Sequence, residues 1–90
     1  MGFLASMLDR AQKNILEAKY GIRRPRDAER VLENIVGNRN RSNEEKVHFA
    51  RPILLWLSRL SMQSNREAER VLEHFRFLHK GFLKDNNIQV

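Results

Sequence analysis

Residues 26–35 read RDAERVLENI and residues 66–75 read REAERVLEHF, with seven of the ten positions identical at a separation of forty. In the first copy Ala28, Val31, Leu32 and Ile35 recur at steps of three, one and three, which places them on one side of a helix. Ala68, Val71, Leu72 and Phe75 repeat that phase in the second copy. The chain therefore duplicates an amphipathic helix, and the fold follows from what surrounds the two copies.

Working outward, Pro25 suits the first position of a helix because the missing N–H would be unpaired there anyway, and Gly37 marks the other end. Asn65 stands at the same offset of forty from Pro25. The preceding segments also correspond: Ile15 with Leu55, Leu16 with Trp56, Lys19 with Arg59 and Tyr20 with Leu60. The expected fold is all-α, a compact four-helix bundle of two pseudo-repeated helical hairpins, with helices at about 3–20, 25–36, 43–63 and 65–80. Two units are too few for a solenoid, which needs about three.

The first helix carries an apolar seam of Leu4, Leu8, Ala11, Ile15, Ala18 and then Ile22, with Gly21 as its stop. Ser42-Asn43-Glu44-Glu45 has the pattern of a capping box opening the third helix, and Ser64-Asn65-Arg66-Glu67 that of one opening the fourth. Pro52 lies well inside the third helix, so a kink or break is expected near it. The segment ILLWLSRL beyond it is apolar on more than one face, which predicts a central helix. Residues 85–90 read as a frayed tail.

Ninety residues make a single domain whose apolar side chains are mostly needed for packing, leaving little to line a deep pocket. With no cysteine, disulfides, thiolate nucleophiles and cysteine-ligated zinc are excluded. The longest apolar run, Pro52 to Leu57, is far short of the roughly 18 residues of a membrane span. No secretory signal is readable, so an intracellular, cytoplasmic protein is expected. The first 24 residues contain only Asp9 and Glu17 against five basic residues, a composition that also fits an organellar leader, though the seam favours a helix. Met1 to Ser6 fits the broad form of an N-myristoylation pattern, with the bulky Phe3 weakening it.

Catalytic, cofactor and metal sites are not expected. His48, His74 and His79 show no HExxH or comparable ligand spacing. The four glycines are isolated, which removes a glycine-rich phosphate loop, and no serine elbow occurs. Within RDAERVLENI the outward charges fall at i,i+3 with opposite sign, which reads as a self-neutralising solvated face.

The net charge of +6 favours an acidic partner. Arg23, Arg24 and Arg26 surround Pro25 at the positive end of a helix, where cations are mildly unfavourable, and Arg39 and Arg41 follow its other end. Phe77 falls off the apolar stripe, either as an exposed partner contact or as cover for a hairpin junction. These six residues are the candidate partner-binding site of a small basic, non-enzymatic helical adaptor, inhibitor or accessory subunit, of a size that suits a phage or plasmid modulator, acting on an acidic protein surface. The alternative is sequence-independent binding of DNA or RNA phosphates, although no RNA-recognition motif or stacking platform is readable. A membrane-associated immunity-type protein is a further alternative by fold analogy alone. The apolar surplus of the third helix leaves room for a homodimer.

Overall fold

The computed structural model describes the backbone of residues 3–90, and the side chains from residue 10 onward apart from Gln12. The first residues of the N-myristoylation pattern and the Leu4 and Leu8 positions of the predicted seam therefore lie outside the described side chains. Five helices follow in order: α1 (Phe3–Tyr20), α2 (Pro25–Val36), α3 (Asn43–Met62), α4 (Arg66–Leu78) and α5 (Lys80–Asp85). No strand occurs among the described residues.

Helix α3 is the centre. Ala50, Ile53, Leu54, Trp56 and Leu57 are all buried. At 3.6 residues per turn they occupy an arc of roughly 160°, too wide for one neighbour. Three helices use that arc, because α2 and α4 both pack on α3 and α1 adds a lesser contact with it. At about 1.5 Å per residue α3 is roughly 30 Å long, most of the 39 Å long axis of the molecule. It runs from Asn43 to Met62 without interruption, so Pro52 does not break it.

The repeated stripes are buried in the same phase. Ala28, Leu32 and Ile35 of α2 are matched by Ala68, Leu72 and Phe75 of α4, and both alanines are fully buried. Full burial of a side chain of one carbon requires a neighbouring element to press close to the helix at that point. Short connections at 37–42 and 63–65 reverse the chain on each side of α3, so α2 and α4 run in the same direction and pack against each other.

The predicted seam of α1 is not the face it buries. Ala11 and Ala18 are exposed and Ile15 is 60% exposed, whereas Leu16, one position on, is 1% exposed. Tyr20 is half-buried on the same side as Leu16, and Ile22, just past the helix, is fully buried. Forty residues later in α3, Leu55, Trp56 and Leu60 show the same exposed, buried and half-buried order, whereas Leu57 and Met62 do not follow Glu17 and Ile22. The phase of α1 is thus set by Leu16 rather than by Ile15. Gly21, at φ +68°, closes α1 by donating its N–H to the carbonyl of Glu17 (2.9 Å), and turns Ile22 into the core.

Helix ends account for the other departures. Ser42 opens α3 as expected, its hydroxyl oxygen accepting from the N–H of Glu45 (3.2 Å). Ser64 does not open α4. It adopts φ +67° as the reversal after α3, where its N–H donates to the carbonyl of Ser61 and the N–H of Asn65 to that of Leu60 (both 3.0 Å). The cap of α4 therefore moves to Asn65, whose side-chain oxygen accepts from the N–H of Ala68 (3.0 Å). Glu67 is left out of any capping box.

The predicted fourth helix is also divided at His79, which leaves helical geometry at φ −122°, ψ 38°. Beyond α5 the tail reverses with the same hydrogen-bond pattern as at Ser64. Asn87, at φ +53°, donates to the carbonyl of Lys84 (3.3 Å) and Ile88 donates to that of Leu83 (2.9 Å). Ile88 and Val90 then pack against the core instead of fraying. Asn86 fixes this end, exchanging side-chain hydrogen bonds with Asn43 at the start of α3 (2.6 and 3.2 Å).

Candidate functional site

The outward residues of the repeat face one another across the α2–α4 junction. The Glu67 carboxylate accepts from the backbone N–H of Arg26 (3.0 Å) and lies 3.4 Å from its Nε. Further along, Glu29 accepts from Nδ1 of His74 (2.7 Å) and Glu33 from Nε2 of His79 (2.8 Å). The numbers rise together on both helices, which is the signature of parallel neighbours. His79 is the most enclosed member, with its side chain 18% exposed, and its ring also packs on Phe75 at 4.8 Å between centroids. Being held from two sides, it marks the point where α4 gives way to α5.

Of the i,i+3 face expected on α2, Arg26, Glu29 and Glu33 are engaged across the junction, while Asp27 still feels the charge of Arg30. Asp27 has a different use: its carboxylate accepts from the N–H groups of Arg23 and Arg24 (3.1 Å each) at the opening of α2. Those two hydrogen bonds hold the Asp27 carboxyl below its ordinary range, and the charges of Arg24 and Arg30 act in the same direction.

The six predicted site residues do not form one cluster. Arg23 lies 3.4 Å from the Glu17 carboxylate, and Arg26 is engaged with Glu67 as above. Arg24, at the N-cap of α2, is exposed, and so is Arg39 beyond the far end of that helix. The Arg41 guanidinium lies 4.5 Å from the centroid of the Phe49 ring, with Lys19 on the same ring at 5.8 Å. Nearby, burial pushes the Tyr20 phenol up, and the Arg41 charge opposes that shift. Phe77 is 82% exposed, so it contacts solvent rather than covering a junction. It lies toward the C-terminal end of α4, on the Glu33–His79 side of the α2–α4 junction, away from Arg23, Arg24 and Arg26.

Two grooves follow from this packing. One, of about 830 Å³, runs over the α2–α4 junction between Arg26, Glu29, Glu67, Arg70, Val71, Glu73 and His74, and mixes both signs of charge. The other, of about 630 Å³, is lined by Arg76, Lys80, Leu83, Lys84, Ile88, Gln89 and Val90 and contains no carboxylate side chain. The second was legible in part, since Arg76, Lys80 and Lys84 are spaced i,i+4,i+8. The histidine contacts had no such signal, because the partners are 45 and 46 residues apart.

Among the described residues no charged or polar side chain is buried and no group of three or more histidine or acidic residues is placed to hold a metal ion. No helix among them is long and apolar enough to cross a membrane. No protein-family model, curated protein or solved structure matches the chain.

Proposed function

We propose that this chain is a non-enzymatic helical adaptor, inhibitor or accessory subunit that binds an acidic protein surface. One observation carries the reading: six carboxylates have partners within the molecule, while a set of cations stands exposed on its surface. Glu17, Glu29, Glu33 and Glu67 face basic or histidine side chains, and Asp27 and Glu45 serve helix starts. Arg10, Lys13, Arg24, Arg30, Arg39 and Arg51, by contrast, are exposed. The exposed cations carry the formal excess of +6 outward, and that field steers acidic partners. Exposed Phe77, Leu78 and Met62 add apolar area of the kind that anchors a protein partner.

The test is retention of acidic proteins from extract of the native source, with and without nuclease treatment, compared between the parent protein and an Arg24→Glu, Arg39→Glu, Phe77→Ser variant. Specific acidic proteins should be retained by the parent, released by rising salt and retained less by the variant. Retention of nucleic acid alone, lost on nuclease treatment, would instead favour the phosphate-binding alternative.

A further inference from the structure

We infer that the groove formed by α4, α5 and the returning tail is a docking site for an extended acidic peptide segment with apolar side chains at alternate positions, supplied by a partner protein. This deepens the proposed function and rests on it. The groove combines three features on one surface. Lys80 and Lys84 are exposed and bring positive charge to it, Arg76 adds a third cation that is engaged with Val90, and no lining side chain is acidic. Leu83, buried, lies at its base, and Ile88 and Val90, half-buried, line it from the tail. The tail is held in place rather than loose: Ile88 donates to the carbonyl of Leu83 (2.9 Å), and Nε of Arg76 donates to the carbonyl of Val90 (2.6 Å).

Charge and spacing together select the occupant. Lys80 and Lys84, four residues apart on α5, are separated by about 6 Å along its axis, and alternate side chains of an extended strand by roughly 6.6 Å. A strand lying along the groove can therefore offer one carboxylate to each successive cation. The side chains between them project from the other side of the strand, and where they meet the aliphatic lining of Leu83, Ile88 and Val90 burial favours apolar residues. A nucleic-acid strand would satisfy the cations but leave this aliphatic side unused, since bases are held by stacking on aromatic or guanidinium planes. The lining contains no aromatic ring, and its one guanidinium, that of Arg76, is engaged with Val90.

The probe is a fluorescein-labelled peptide of alternating glutamate and leucine, followed by fluorescence anisotropy at low salt. It is compared with a glutamate–serine peptide of equal charge and with a single-stranded oligodeoxynucleotide of equal charge. Two charge-reversed proteins accompany the parent: Lys80→Glu with Lys84→Glu, and Arg24→Glu with Arg39→Glu. All four positions are exposed, and circular dichroism verifies folding.

The glutamate–leucine peptide should bind the parent and lose at least about tenfold in affinity on reversal at Lys80 and Lys84, with a much smaller loss on reversal at Arg24 and Arg39. The serine peptide should bind more weakly than the leucine peptide. Equal loss in both variants, or equal binding of the two peptides, would reduce the effect to net charge and overturn the groove assignment. An oligonucleotide binding as tightly as the leucine peptide would overturn the choice of occupant. Absence of peptide binding would also overturn the assignment, and the retention of acidic proteins described above then decides separately whether the adaptor reading survives.

Discussion

Ser64 shows how one residue can answer to two local rules and obey the less obvious one. Its hydroxyl and the glutamate three positions on match a capping box, but the chain must first reverse out of α3, and Ser64 occupies the left-handed position of that reversal at φ +67°. A residue with a Cβ is strained there by about 1 kcal/mol, so Ser64→Gly should raise stability by roughly that amount in urea denaturation. An unchanged or lowered midpoint would contradict the strain. Asp27 gives a pH-dependent counterpart. Its folded pKa lies below its ordinary value because it accepts two backbone N–H bonds, so its contribution is present above the ordinary carboxylate range and is lost as pH falls through the lowered folded value. Urea midpoints measured through acid pH should therefore fall less steeply in Asp27→Asn than in the parent, and parallel curves would remove Asp27 from the account.

At the scale of the element, α1 separates periodicity from burial. Its most regular apolar seam included Ile15, yet Leu16 faces the core. The repeat contained the correct phase, since Leu16 aligns with Trp56 and Ile15 with Leu55. A helix of mixed amphipathicity does not state which of two apolar faces is used, and its neighbour decides. Leu16→Ala should cost about 2–5 kcal/mol, and Ile15→Ser no more than about 0.5 kcal/mol, as measured by thermal or urea unfolding. Reversal of that order would restore the predicted seam. The α2–α4 junction makes a second case. Because His79 is more enclosed than His74, a double-mutant cycle between Glu33→Gln and His79→Gln should give the larger coupling, though both pairs are exposed enough to stay near or below about 1 kcal/mol. At Ala68, Leu substitution should cost at least about 1–3 kcal/mol, since the fully buried Cβ leaves no space.

The whole molecule is organised by α3, whose buried arc joins every stripe to one continuous core that includes residues from Leu16 to Leu83. A single core predicts one cooperative transition, so fluorescence of Trp56 and helical circular dichroism should give coincident unfolding curves, and separate midpoints would show an independently folding part. The two matching stripes, the central place of the third helix and the excess of basic charge were determined by the sequence itself, because each depends on composition or on residues within a few positions of one another. The predicted arginine site was not gathered into one place, since Arg23, Arg26 and Arg41 find intramolecular partners that no local pattern names. Only the tertiary structure decided that α2 and α4 lie parallel, that Glu29 and Glu33 meet histidines more than forty residues away, and that the last residues fold back to wall a basic groove. The physical reason is range: hydrophobic period and capping act over one or two helical turns, whereas the partner of an exposed charge depends on which helices the core draws side by side.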